Sequence, residues 1–526
     1  MISKRLGKHS ALLTSLSVAA LLLASAAAAR ADVALPEVLS DSMVLQRGAR
    51  VPIWGRAAPG ESVTVTFAGQ TKRTTAGADG RWRVDLDPLK PSAAPSVLAV
   101  AGSNRIELKD VLVGEVWLLA GQSNMQRLLS ETEGGAAAQA AANHPTMRLF
   151  NVSRQVAFRH APPPLARWRA CTPESVKEFS AAGYYFGVEL QKALGVPVGL
   201  INSSYGGSQA EAWTPVEYLL ASPDLRPTVE RTKIWDEERP RVKVEYEEQI
   251  RRWRADAEAA RSRGARPSPS PSVPDALREY RVAASIYDGM IAPLIPFRLR
   301  GAFWYQGESN EARAEQYAIL LPTMIRAWRE RWGQGQFPFG IIQLPNFRSP
   351  RDEPADEPWS HIREAQRRTA LKTPNAGLIV TIDIGEASDI HPRNKLDVGR
   401  RMARWALAEV YERGTTATGP LLRSWKVEGS KIVLKFDAAG GGLRIRDGDR
   451  LSEFAVAGED RKWRWAEAKI VGRDRVEVWS KEVPRPVAAR YAFNNNPRRP
   501  NLTNDAGLPA APFRTDDWPD PTAGKR

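Results

Sequence analysis

The chain has 526 residues, with 75 Lys plus Arg against 60 Asp plus Glu, a formal net charge of +15. Hydrophobic content of 43% and charged content of 26% exclude a wholly disordered chain, and the length leaves room for about three folding units. A single cysteine, Cys171, excludes any intramolecular disulfide and any cysteine-based zinc cluster.

Residues 1–31 carry Lys4, Arg5, Lys8 and Arg30 and no acid, so a chain without them has a net charge of +11. The basic Met1–His9, the mostly apolar Ala11–Ala24 and the small-residue site Ala29-Arg30-Ala31 together make a secretory signal peptide. The apolar stretch is broken by Thr14, Ser15 and Ser17 and is shorter than the ~20 residues of a spanning helix. A mature chain beginning near Asp32, periplasmic or secreted, is therefore expected. Its arginines are scattered and form no clustered stripe or nucleic-acid reader motif, so no nucleic-acid partner is expected.

From Val33 to about Lys109 the sequence alternates as strands do, in Val51-Pro-Ile-Trp-Gly, Ser62-Val-Thr-Val-Thr-Phe and Arg81-Trp-Arg-Val-Asp-Leu. This predicts a small β-sandwich at 32–110. Apolar strands then alternate with helices: Val113–Ala120, Val196–Asn202, Gly301–Tyr305, Phe339–Leu344 and Leu378–Ile384, with helices at Gly183–Leu194 and Ala312–Arg331. Such alternation predicts an α/β unit at 111–414 with a mostly parallel sheet, whose chemistry lies at the carboxyl ends of its strands. A densely charged insertion at about 224–274, helical around Glu245–Arg261, reads as a long loop-like lid or binding element. Alternation returns in Lys431-Ile-Val-Leu-Lys-Phe, Trp463-Arg-Trp, Arg475-Val-Glu-Val-Trp and Ala488–Phe493, a second β module within 415–526.

Five histidines are present, and His9 lies in the signal region. His361 opens a helical stretch, His144 precedes Pro145 in a turn, and His160 precedes three prolines with no acid nearby. His391, in Asp383-Ile-Gly-Glu-Ala-Ser-Asp-Ile-His-Pro, follows a strand and has acids two, five and eight residues upstream. An acid close to a loop histidine can accept the Nδ1 proton and fix the tautomer of a general base. The matching nucleophile is Ser123, on a tight turn after a buried strand, although the second glycine of a G-x-S-x-G elbow is replaced by Met125. Ser203-Ser-Tyr-Gly-Gly-Ser and Gln306-Gly-Glu-Ser-Asn also follow strands and offer backbone or amide donors to an oxyanion. No metal-ligand spacing and no Walker or dinucleotide glycine loop occurs, so no metal and no cofactor are expected.

Taken in order, Gly121-Gln-Ser-Asn-Met, Ser204-Tyr-Gly-Gly-Ser-Gln-Ala-Glu-Ala-Trp, Trp304-Tyr-Gln-Gly-Glu-Ser-Asn and Asp389-Ile-His-Pro resemble the sialate O-acetylesterase family of SGNH hydrolases. Met43-Val-Leu-Gln-Arg and Gly507-Leu-Pro-Ala-Ala-Pro-Phe-Arg-Thr-Asp resemble it too. The resemblance implies an SGNH-like three-layer parallel sheet flanked by β-sandwich modules, and a serine esterase that removes O-acetyl groups from sugars. By motif, Ser123 is the nucleophile, His391 the base and Asp389 the acid. The spacing is Asp-x-His, with Ser388 where the family's wider class places its acid, so Glu386 and Asp383 stay in contention. Gly206 or Gly207 and Gln306 join the Ser123 N–H as oxyanion donors, and Tyr205 stands where Trp is more usual. The implied partner is an acetylated carbohydrate, foremost an O-acetylated sialic acid. Acetylated xylan is the rival substrate, and a non-catalytic carbohydrate-binding protein is the rival class.

Overall fold

The computed structural model describes residues 32–156, 166–437 and 440–526. The expected signal peptide and His160 lie outside the described residues. Seven strands form the central path of a large mixed sheet. They are β1 (Arg105–Gly121), β2 (His144–Asn151), β3 (Trp168–Cys171), β4 (Val198–Ser204), β5 (Gly301–Tyr305), β6 (Phe339–Ile342) and β7 (Ala376–Ile379). Their spatial order is β7-β6-β5-β1-β4-β2-β3. Every neighbour pair is parallel except β2 with β3, which is antiparallel. The short apolar runs explain the arrangement: β4 and β5 are buried along their whole length, as strands covered on both faces must be.

The helices that position the site are α1 (Ser123–Gln126), α2 (Ala181–Leu194), α3 (Arg226–Ser262), α4 (Ala314–Trp332), α5 (Pro358–Lys372) and α6 (Leu396–Glu409). Ser180 caps α2 by accepting from the Gly183 N–H at 3.1 Å, and Gly195 ends it in the left-handed conformation. Among the described residues no helix is long and apolar enough to cross a membrane.

Strand β1 is 17 residues long and serves two parts of the molecule. Its first half pairs with Ser92–Ala101 of the N-terminal module and its second half lies in the central sheet between β4 and β5. The expected boundary at 110/111 falls inside this strand, where Asp110 takes a φ of +56° and its carboxylate accepts from Arg148 at 2.9 Å. The three alternating runs read from sequence are the strands Val51–Arg56, Ser62–Phe67 and Arg81–Leu86.

The charged insertion differs from the loop-like expectation. Most of it is one 37-residue helix, α3, which contains the expected helical stretch Glu245–Arg261 and extends it back to Arg226, while the stretch after Ser262 lacks helix. Ion pairs one turn apart line its exposed face, among them Arg239–Asp236 at 2.7 Å, Arg241–Glu245 at 2.6 Å and Arg252–Glu248 at 3.0 Å. Each is worth only a few tenths of a kcal/mol, roughly, but together they favour helix in a segment with few buried residues. Arg231, near its start, pairs with the buried Glu211 at 2.9 Å and so ties the helix to the central unit.

The C-terminal module holds two four-stranded antiparallel sheets, one built on Lys431–Asp437 and Arg475–Trp479, the other on Phe454–Ala457 and Ala488–Tyr491. Phe436 of the first meets Phe513 of the second with ring centroids 5.8 Å apart.

Candidate active site

The register of the sheet brings the sequence motifs together. Gly121 at the end of β1 is paired with Ser204 at the end of β4 and with Tyr305 at the end of β5. Three motifs that lie about a hundred residues apart therefore leave the sheet side by side. Gly121 has a φ of +139°, and a Cβ there would fall 2.2 Å from the Tyr305 carbonyl oxygen, so only glycine lets the chain turn at this point.

The turn delivers Ser123 as the first residue of α1. His391 comes from the loop between β7 and α6, and its Nε2 lies 2.8 Å from Ser123 Oγ. Asp389 sits on the other side of the ring: one carboxylate oxygen, Oδ1, is 3.6 Å from His391 Nδ1 and accepts from the His391 backbone N–H at 2.8 Å. The other two acids face elsewhere. Glu386 accepts from the Arg393 N–H at 2.6 Å, and Asp383 is held by Arg401 at 2.6 Å and Arg446 at 2.7 Å. Burial lowers the pKa of His391, aided by the cationic Arg127, and the Asp389 carboxylate only partly opposes this. A neutral imidazole facing a serine hydroxyl at hydrogen-bond distance can accept its proton.

Asn124, next to the serine, brackets the histidine from below. Its Nδ2 donates to the Ile390 carbonyl at 3.0 Å and to Glu308 at 2.6 Å, and its Oδ1 accepts from Lys395 at 2.8 Å. Lys395 also donates to the Pro392 carbonyl at 2.7 Å, so the backbone is held on both sides of His391. Lys395 is fully buried, and burial brings its pKa down to about 7; burial likewise raises that of Glu308.

The glycine motif approaches from the other flank. A Cβ on Gly206 would come 3.5 Å from Ser123 Cβ, and the Gly206 N–H donates to Gln126 Oε1 at 2.8 Å. Gly207 has a φ of +74° and packs beneath the Tyr280 ring, which stacks on Tyr205 with centroids 4.9 Å apart and planes 25° from parallel. Gln306 is buried, and its Nε2 is committed to the Ser208 carbonyl at 3.2 Å and to Asn310 Oδ1 at 2.7 Å. Asn310 in turn donates to Glu211 at 2.8 Å. Glu211 is held down to about 2, the ion pairs with Arg313 and Arg231 outweighing its burial.

His144, His361 and Cys171 lie apart from this cluster. His144 starts β2 opposite Cys171, whose thiol is pushed up to about 12 by burial. His361, in the first turn of α5, is clamped by Asp356 at 2.6 Å and Asp520 at 3.1 Å. Sequence reasoning missed Gln126, Asn124, Lys395, Glu308 and Tyr280. Asn124 and Glu308 stand inside the quoted motifs, and their polar side chains beside a strand end were the available signal. Lys395 and Tyr280 gave none, because only the fold brings them here.

Comparison with known proteins adds the family of the chain. Residues 113–263 and 275–408 match the family described as carbohydrate esterase, sialic acid-specific acetylesterase. The human sialate O-acetylesterase is 28% identical over 518 residues, covering 90% of this chain and 91% of the human one. The rat enzyme of the same name is 30% identical over 424 residues, covering 73% and 74%. A crystal structure of a carbohydrate acetylesterase from Xanthomonas citri superposes with a TM-score of 0.77 at 35% identity, covering 93% of this chain and all of that one. The fold and these matches define an ester hydrolase. The chain belongs to the sialic acid-specific acetylesterase family of carbohydrate esterases.

Proposed function

We propose that the chain is a serine esterase that hydrolyses O-acetyl groups on sugars, with O-acetylated sialic acid as its substrate. The observation that carries the reading is the 2.8 Å approach of His391 Nε2 to Ser123 Oγ. His391 takes the Ser123 proton as Oγ attacks the acetyl carbonyl. The resulting oxyanion is met by the Ser123 N–H, which has no intrahelical acceptor at the start of α1. Gly206 turns its N–H from the Gln126 side chain to the oxyanion, with Gly207 shaping the turn. Gln306 contributes the hydrogen now on the Ser208 carbonyl, the longer of its two bonds at 3.2 Å. Collapse breaks the ester bond, and the sugar alkoxide leaves with the proton from His391. Water, deprotonated by His391, then cleaves the acetyl-Ser123 ester and releases acetate. Asp389 orients the imidazole and offsets its positive charge.

The family match favours sialic acid over other acetylated sugars. In this reading the parallel strands and the helix pairs α2 with α6 and α4 with α5 make the three layers of an SGNH unit at 111–414. The 32–110 and 415–526 modules flank it as β-sandwiches, and cleavage after residue 31 sends the enzyme to the periplasm or outside the cell. Acetate release from 9-O-acetylated sialic acid and from acetylated xylan, measured side by side, tests the substrate. Preferential release from the sialic acid is expected. Preference for xylan overturns the sialate reading, and no release from either overturns the sugar-esterase reading.

A further inference from the structure

The segment that returns from α3 comes back to the catalytic turn, and two side chains of α3 hold it. Arg239 Nε donates to the Ala276 carbonyl at 2.9 Å, and Thr232 Oγ1 accepts from the Ala283 N–H at 3.1 Å. Between these anchors the chain makes two short 3-10 turns, Asp275–Leu277 and Glu279–Arg281. Asp275 pairs with Arg281 at 2.7 Å and with Arg278 at 3.5 Å, which ties the two turns together. Just past the second anchor, the Ala284 N–H donates to the Glu211 carbonyl at 3.0 Å. Tyr280 lies in the second turn, so its backbone is held on both sides.

This places Tyr280 against the turn that follows β4. Its ring stacks on Tyr205, and the Tyr205 N–H donates to the Gly121 carbonyl at 2.9 Å, which fixes that ring to the turn of the nucleophile. A Cβ on Gly207 would lie 3.4 Å from the Tyr280 hydroxyl, and one on Gly206 would lie 3.5 Å from Ser123 Cβ. With neighbouring Cα atoms about 3.8 Å apart, the Tyr280 hydroxyl is at most about 14 Å from Ser123 Cβ. Both rings are half-buried. Among the described residues the Tyr280 hydroxyl has no hydrogen-bond partner, and it is open to solvent. An aromatic face with a free hydroxyl suits a pyranose, whose C–H groups lie on the ring and whose hydroxyls exchange hydrogen bonds with the phenol.

We propose that Tyr280, stacked on Tyr205, is a sugar-contacting residue that selects acetylated sugars over smaller acetyl esters, and that α3 is the buttress that holds it there. The proposal rests on the serine-esterase reading and gives the charged insertion a part in the same site. Tyr280 touches the sugar. Arg239 and Thr232 act through it and are positioning residues.

The test is acetate release from 9-O-acetyl-N-acetylneuraminic acid, from acetylated xylo-oligosaccharide and from methyl acetate. Methyl acetate carries the same acyl group on an alcohol too small to reach Tyr280. The quantity read is the ratio of kcat/KM for the better of the two sugars to kcat/KM for methyl acetate within one protein preparation. Loss of folded protein then acts on both substrates alike. Tyr280→Phe should lower the ratio by about 3- to 10-fold, the scale of one neutral hydrogen bond. Tyr280→Ala, which also removes the stacking face, should lower it by about 10- to 100-fold. Arg239→Met should lower it in the same direction with Tyr280 intact, and should add no further loss when combined with Tyr280→Ala. A ratio unchanged in Tyr280→Ala overturns the proposal and leaves the esterase reading in place. A full second loss in the double variant overturns the buttress. Wild-type protein that cleaves methyl acetate but neither sugar overturns the sugar-esterase reading instead.

Discussion

The separation between Asp389 and His391 sets a quantitative expectation for the variant Asp389→Asn. In the proposed mechanism the carboxylate stabilises the imidazolium formed when His391 takes the serine proton. At 3.6 Å the attraction of two unit charges is about 5 kcal/mol at an effective dielectric constant of 20 and about 1 kcal/mol in bulk water. The Asp389 side chain is 39% exposed, which places the pair toward the watery end, at about 1–3 kcal/mol. Asp389→Asn should therefore lower kcat by roughly 5- to 200-fold, with KM nearly unchanged. The variant keeps an oxygen to accept from the His391 N–H, now 2.8 Å from Oδ1, so the loop stays placed. Asp389→Ala removes that acceptor as well and should lose more. The assay is 4-nitrophenyl acetate hydrolysis at pH 8, where His391 is neutral, with Glu386→Gln as the control for the acid held by the Arg393 N–H. A kcat for Asp389→Asn within twofold of wild type refutes the reasoning. So does a loss as large as that of Ser123→Ala, or a larger loss from Glu386→Gln.

Further expectations follow from the same geometry. Because the pKa of His391 is lowered and the base must be neutral, kcat/KM should rise with pH along a limb whose midpoint lies below 6.5; a midpoint at or above 6.5 contradicts the burial of the ring. Lys395→Met leaves Asn124 Oδ1 and the Pro392 carbonyl unserved and removes a cation that depresses His391. It should lower kcat by about 10- to 100-fold and move the acid limb to higher pH, and a pH profile with an unmoved limb denies its link to His391. For His361, burial lowers the pKa but the hydrogen bonds to Asp356 and Asp520 override it, and the net shift is upward from 6.5. The protonated ring thus stabilises the fold below about pH 6.5 and loses this contribution as the pH rises through its folded value. The Tm of the wild type should fall over that rise, and His361→Gln should flatten the fall; parallel curves for the two proteins refute the clamp.

Much of the central unit was legible because its signals are local. Gly301–Tyr305 reads as a strand from five apolar residues in a row and is one, and the helix expected at Ala312–Arg331 forms at Ala314–Trp332. The serine and histidine were legible as motif residues, and register pairing at Gly121 accounts for their neighbours. Other features depend on partners far along the chain. Strand β3 is four residues long and earns its place only by pairing with β2. The densely charged insertion was read as loop-like apart from a helix around Glu245–Arg261, whereas the helix runs from Arg226 and is held by intrahelical ion pairs and the Arg231–Glu211 contact. Lys395 looks like a surface residue in sequence and is buried because Asn124 and Pro392 accept its hydrogens. The Ser203–Ser208 turn was read as a donor cradle, but which donors are free depends on Gln126 and Ser208, which no spacing rule reveals.

The most direct test is acetate release from 9-O-acetylated sialic acid by purified Ser123→Ala protein, compared with wild type under the same conditions. With Oγ gone, His391 Nε2 has no hydroxyl at 2.8 Å to deprotonate, and kcat should fall by about 10⁴- to 10⁶-fold. Release at the wild-type rate from folded Ser123→Ala protein would show that the acyl group never passes through this serine.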